Sequence, residues 1–259
     1  MEFQTLLFEK QGSVGIMTLN RPKALNASNM LTAYEVDKMM DLIAEDDEVK
    51  SFIVTGGTKV FAAGGDIPFM STASAVEMDK FIYLCNRGLD KLANMNKPSV
   101  AAIAGLALGG GNEMAMCCDI RIAAEGTVFG QPEINLGIMP GAGGTQRLSR
   151  IVGQGWAKYL IMSGRTITAD EALKIGLVTQ IVPVDSLIET AMKLAKELAY
   201  KAPLAMAAAK KCIAYGADAD IQMGEAFEQK NWAWLYATED QTEGMTAFLE
   251  KRRPVYKGK

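Results

Sequence analysis

The first twenty residues carry two short apolar-rich runs, one on each side of a short turn. Leu6–Lys10 and Val14–Leu19 flank Gln11-Gly-Ser13, the pattern of a β-hairpin. After the loop Asn20-Arg-Pro-Lys23 the pattern changes. Met30, Leu31, Tyr34, Met39 and Ile43 recur at roughly helical spacing, and Ser28 or Asn29 is placed to cap a helix reaching about Ala44. Phe52–Thr55 is a short buried strand ending at Gly56-Gly57. The loop Phe61-Ala-Ala-Gly-Gly-Asp-Ile67 follows, with Asp66 positioned to cap a brief helix. Ala75–Ala93 returns to helical periodicity until Lys97-Pro98 breaks it, and Ser99–Ala104 is again a strand.

The middle of the chain is dense in glycine. Gly105–Gly111 is predicted as a loop feeding a helix of about Asn112–Cys118, followed by a strand at Ile120–Ala124 and a long turn over Gly137–Gly144. Helices are predicted at Thr145–Ile151, Gln154–Ser163 and Thr168–Ile175, with a strand near Val178–Val182. Strand signals then stop. The helical patterns Leu187–Tyr200, Pro203–Tyr215, Asp220–Ala237 and Thr242–Glu250 complete the chain. The fold class is α/β, with residues 1–200 forming a mixed core and residues 201–259 a helical C-terminal region.

Composition changes this picture little. A chain of 259 residues with 49% hydrophobic and 22% charged residues suits a globular protein with a sizeable core. A net charge of −3 supplies no bulk attraction for nucleic acid or an anionic membrane. No apolar run approaches the ~20 residues a bilayer requires, and Met-Glu-Phe-Gln-Thr5 lacks the basic and apolar segments of a secretory signal. The expectation is a soluble, cytoplasmic protein. Cys85, Cys117, Cys118 and Cys212 form no Cys-x-x-Cys, so they read as reduced thiols, and no metal site is expected.

One absence matters more: the chain has no histidine. Proton chemistry near neutral pH then falls to carboxylates raised by burial. Glu113, in Leu108-Gly-Gly-Gly-Asn-Glu113, and Glu133, in Gly130-Gln-Pro-Glu133, stand out because both sit in glycine-marked segments. The triplet Gly109–Gly111 before a helix suits backbone N–H donation to developing negative charge, and Ala63-Gly-Gly-Asp66 offers a second such donor. Tight turns explain the same glycines, and the helix dipole explains Glu113 equally well. Phosphate-loop and nucleophile-elbow patterns are absent. Tyr34-x-x-x-Lys38 lacks the dinucleotide fingerprint that would give that spacing meaning. The basic tail Glu250–Lys259 is either a solvated terminus or a contact to a phosphorylated ligand, including one on a neighbouring subunit.

These segments together resemble the enoyl-CoA hydratase/isomerase (crotonase) family. The resemblance is carried by Leu19–Asn26, Phe61–Ile67, Ala104–Glu113, Cys118–Ala123 and Phe129–Leu148. It implies a crotonase-like ββα spiral superhelix with a C-terminal helical trimerisation region, assembling as a trimer or as a hexamer made of two trimers. It implies an acyl-CoA substrate and no separate cofactor. The thioester oxygen is expected between the N–H groups of Gly65 and Gly110, with Glu113 and Glu133 as the catalytic acids. Lys23, Ala24, Leu25, Ala63, Asp66, Ile67, Leu108, Gly109, Pro132 and Gly141 are expected to flank the CoA or substrate. Phe248 and Lys257 fall where such proteins reach a neighbouring subunit's CoA.

Gly65 stands where the family often has alanine, Pro68-Phe69 where it often has Lys-Glu, and Asn112 where it often has a small residue or cysteine. With both acids present, the resemblance implies hydration of 2-enoyl-CoA thioesters, short-chain ones first. The alternatives are a Δ3,Δ2-enoyl-CoA isomerase working through Glu133 alone, a hydratase for a cyclic or branched enoyl-CoA, and a non-catalytic CoA- or RNA-binding member. Either glutamate is open to either proton-transfer role at this level.

Overall fold

A computed structural model of the protein describes residues 3–259. Strands β1 (Leu6–Gln11) and β2 (Val14–Leu19) form the expected antiparallel hairpin. Strands β3 (Ser51–Thr55), β4 (Ser99–Ile103), β6 (Ile120–Ala124) and β9 (Gln180–Val182) extend it in parallel into a six-stranded sheet ordered β1-β2-β3-β4-β6-β9. A smaller sheet holds β5 (Leu106–Leu108), β7 (Val128–Gly130) and β8 (Thr166–Thr168). The isolated parallel bridges Ala62↔Ala107 and Ser28↔Gly65 prolong this ladder. From β4 onward the chain passes back and forth between the two sheets, which makes the architecture a spiral.

Helix α1 (Met30–Glu45) is capped by Asn29, whose side chain accepts from the Thr32 N–H. It packs along α3 (Ala75–Asn94), which opens with a Ser74–Glu77 capping box. Between them the fully buried Asp37 binds Arg87 Nε at 2.8 Å and Lys91 Nζ at 2.8 Å. The short α2 (Ile67–Met70) is capped by Asp66 as expected. Helices α4 (Gly110–Cys117), α5 (Gly144–Ser163) and α6 (Ala169–Lys174) follow. The two helices expected either side of residue 153 are present as the halves of α5, which breaks at Gly153 with φ 79°.

The main sheet is buried on both faces, so its inner strands read as unbroken apolar runs. Phe52, Val54, Ala101 and Ile103 face α1 and α3. Ile53, Val100 and Ala102 face Leu187, Ala191 and Ala195 of α7 (Leu187–Ala199). Helices α8 (Pro203–Gly216), α9 (Ile221–Leu235) and α10 (Glu239–Leu249) make up the C-terminal region. α10 starts three residues earlier than the sequence pattern suggested because Thr238 caps it, accepting from the Gln241 N–H. α9 buries none of its residues, while α8 is tied to the core by Lys210 Nζ on Asp119 at 2.9 Å.

Three elements went unread in the sequence: β5, β7 and β8. Each spans only three residues, too short for a period-two pattern to register. β5 lies inside the glycine-rich stretch read as loop.

Candidate active site

The small sheet is what assembles the site. Leu108 of β5 pairs with Gly130 of β7, and the Gly109 N–H donates to the Gly130 carbonyl at 3.0 Å. That pairing brings the turn Pro132–Leu136, a 3-10 helix, alongside the start of α4. Gly109 adopts φ 49°, ψ −124°, and a Cβ there would stand 2.9 Å from Glu133 Oε1. Only glycine permits both that conformation and that approach. Glu113, one turn into α4, is 2% exposed.

Helix α4 begins at Gly110, two residues before the sequence pattern placed it. The Gly110 N–H is therefore the first free donor of the helix. The neighbouring loop lies against it, tied through Leu108 N–H to the Ala62 carbonyl at 3.0 Å. A Cβ on Gly64 would be 3.6 Å from the Gly110 nitrogen. No acceptor among the described residues takes the N–H of Gly65 or of Gly110.

Gly65, Gly110, Glu113, Glu133 and Gly141 all line one cavity of about 390 Å³. Its walls are largely apolar, with Met70, Met78, Phe81, Ile82, Met114 and Met139 among the lining side chains. Gly109 and Pro132 adjoin lining residues in sequence, and Ala63 and Leu108 lie two residues from Gly65 and Gly110. Lys23 and Ala24 lie in the 3-10 turn Pro22–Ala24, and Leu25, half exposed with φ 50°, accepts the Ala63 N–H at 3.0 Å. Ile67 is half exposed at the start of α2. Asp66 is engaged by its cap and by Arg21 Nη2 at 2.8 Å, which gives it a structural task. Phe248, 83% exposed, and the exposed Lys257 lie away from the cavity of their own chain.

Glu113 Oε1 accepts the N–H groups of Ala142 at 2.9 Å and Gly144 at 2.6 Å. The sequence showed the glycine-rich turn before α5 but no sign that its backbone would grip Glu113. Burial pushes the Glu113 carboxyl up to about 7, Glu133 adds like-charge repulsion, and the two N–H bonds restrain the rise. Glu133 is also raised by burial, and its Oε2 is buried with no hydrogen-bond partner. The cavity thiol of Cys85 is pushed up to about 12, chiefly by burial, so it is not a thiolate nucleophile at neutral pH. Among the described residues no group of three or more Asp, Glu or Cys is arranged to hold a metal ion.

Two raised carboxyls and two N–H groups without an acceptor thus border one cavity. The family model described as enoyl-CoA hydratase/isomerase matches residues 9–259. The chain belongs to the enoyl-CoA hydratase/isomerase family. Among its relatives in that family, a protein named short-chain-enoyl-CoA hydratase from Clostridium acetobutylicum is 48% identical, covering 98% of this chain and 97% of its own length. One named crotonyl-CoA hydratase from Syntrophomonas wolfei is 44% identical, covering 98% of each chain. The crystal structure of an enoyl-CoA hydratase from Bacillus anthracis superposes with a TM-score of 0.95 at 37% identity, over 99% of this chain and all of that one. The crotonase-type α/β spiral expected from the motifs is therefore the fold of this chain.

Proposed function

We propose that this chain is an enoyl-CoA hydratase, adding water across the C2–C3 double bond of short-chain 2-enoyl-CoA thioesters to give 3-hydroxyacyl-CoA. The observation that carries this reading is the meeting of Glu113 and Glu133 with the free N–H groups of Gly65 and Gly110 in one cavity. The names of the relatives from C. acetobutylicum and S. wolfei support the short acyl length.

Water attack forms an O–C3 bond and drives the C2–C3 electron pair toward the thioester carbonyl. The Gly65 and Gly110 N–H groups receive the oxyanion of the resulting enolate, each donor contributing about 3 kcal/mol in comparable sites. Glu113 takes the proton from water, because the Ala142 and Gly144 N–H groups favour its charged form and fix its orientation. Glu133 delivers a proton to C2, because its unpartnered buried Oε2 favours the neutral acid. The proton left on Glu113 restores the pair when product leaves. No cofactor beyond the CoA of the substrate enters this scheme. An isomerase would need Glu133 alone and would leave Glu113's grip on the Gly141–Gly144 turn without a chemical role.

The ribbon of Lys23, Ala24, Leu25, Ala63 and Ile67 is proposed to carry the nucleotide and pantetheine arm. Residues 201–259 are proposed as an assembly region giving a trimer, or a hexamer of two trimers. Exposed Trp232, Trp234, Phe248 and Leu249 support this, since such side chains are costly to leave in water. Phe248 and Lys257 then meet a neighbour's CoA. The four free cysteines suit a reducing cytoplasm.

Crotonyl-CoA incubated with the protein tests the reaction class. Loss of the enone absorbance with a product heavier by one water supports hydration. A product of unchanged mass from a 3-enoyl-CoA, with no hydration of crotonyl-CoA, assigns isomerisation instead.

A further inference from the structure

Gly65 and Met70 share one volume. Met70 lines the cavity from the end of α2, and a Cβ built on Gly65 would lie 2.4 Å from the Met70 sulfur. Non-bonded atoms do not approach so closely, so the thioether occupies the space a side chain at residue 65 would fill.

The backbone of Met70 is tied down, while its side chain is of the unbranched, adaptable kind. Its N–H donates to the Asp66 carbonyl at 2.9 Å, and the Asp66 side chain accepts from Phe69 N–H at 3.4 Å. Arg21 holds the Asp66 carboxylate at 2.8 Å. Phe69 meets Phe81 of α3 edge-on, with ring centroids 5.3 Å apart. From that anchored position an unbranched chain with three torsions reaches back over Gly65. Methionine is the side chain best suited to change shape there.

We propose that Met70, seated on Gly65, is a specificity-determining residue that restricts the acyl group beside the Gly65 N–H to short chains. The inference rests on the reading of this cavity as an enoyl-thioester site. A carbonyl oxygen held by the Gly65 N–H starts the acyl chain beside Gly65, and the thioether lies in the path of the carbons beyond crotonyl C4. Longer acyl groups require the thioether to swing away, and crotonyl does not. Removing a few carbons' worth of wall in such a pocket commonly changes discrimination by about 10-fold or more.

The test measures kcat and KM for crotonyl-CoA and 2-octenoyl-CoA with the full chain and with Met70→Ala, Gly65→Ala and the double variant. Met70→Ala is expected to raise the octenoyl-to-crotonyl ratio of kcat/KM at least fivefold, mainly through KM for octenoyl-CoA. Gly65→Ala is expected to push the flexible thioether further into the acyl space and so lower kcat/KM for octenoyl-CoA at least tenfold in the parent chain, with little loss for crotonyl-CoA. In the Met70→Ala background the same change is expected to cost under threefold. Equal scaling of both substrates in Met70→Ala, or additive losses in the double variant, overturns the proposal. Met70→Leu, which keeps volume but loses flexibility, carries the ratio test if Gly65→Ala does not fold. Its octenoyl-to-crotonyl ratio is expected at or below that of the parent chain, and a higher ratio counts against the proposal. Failure of the parent chain to hydrate either substrate would sink the functional reading itself, a result distinct from parent turnover with an unchanged ratio.

Discussion

Glu113 carries two opposed requirements in one side chain. It is nearly inaccessible to water, yet two backbone N–H groups hold one of its oxygens as they would a charged carboxylate. The outcome is a carboxyl raised from 4.5 to about 7. A carboxyl whose folded pKa lies above its unfolded value resists ionisation, so stability is lost as pH rises from about 4.5 through 7. The difference corresponds to about 3 kcal/mol at pH 8. Glu113→Gln keeps an acceptor for the two N–H groups and removes the charge. It is expected to unfold at the same temperature as the parent near pH 4 and at a higher one at pH 8, measured by calorimetry. The same group sets an activity expectation. If Glu113 must be ionised to take a proton from water, kcat/KM falls as pH drops below about 7. A profile flat from pH 5 to 8 contradicts that role.

At the scale of elements, the helix α3 supplies much of the cavity wall, and Asp37 of α1 holds it in register through Arg87 and Lys91. Burial alone would raise the Asp37 carboxyl, yet the two cations hold it below the usual carboxylate range. Breaking a fully buried pair costs about 3–5 kcal/mol. Arg87 and Lys91 are a third or more exposed, so Asp37→Ala is expected to cost about 2 kcal/mol in urea unfolding. A loss under 0.5 kcal/mol removes the clamp from the account. Such elements also mark what the sequence made legible. The hairpin, α1 and α3 announce themselves because each is long enough to show a pattern, and β3, β4 and β6 do so as largely apolar runs of five residues; Asn29 and Asp66 cap where their residue types suggest. The strands β5, β7 and β8 do not, being three residues each, and they are what set Glu133 beside Gly109. The glutamates and the two glycines were thus readable as candidates, while their meeting was readable only through the family's motifs. The bond between Asp66 and Arg21 is one that sequence spacing alone does not reveal.

For the whole molecule, the contrast between core and C-terminal region is the dominant feature. The largest fully buried side chains, among them Phe52, Phe61 and Phe129, lie in the spiral, whereas α9 and α10 leave Trp232, Phe248 and Leu249 at 60%, 83% and 80% exposure. Light scattering is expected to give three or six chains of 27.9 kDa. Phe248→Ser with Leu249→Ser is expected to shift that mass downward while leaving the spiral's circular dichroism intact. A monomeric parent protein contradicts the assembly proposal without touching the cavity chemistry. That chemistry is tested most directly by the rate of crotonyl-CoA hydration in Glu113→Gln and Glu133→Gln, each compared with the parent under saturating substrate. The account predicts that each variant loses at least about 100-fold in kcat, the lower range for a positioned acid or base. Full activity in either variant would contradict the two-carboxylate mechanism.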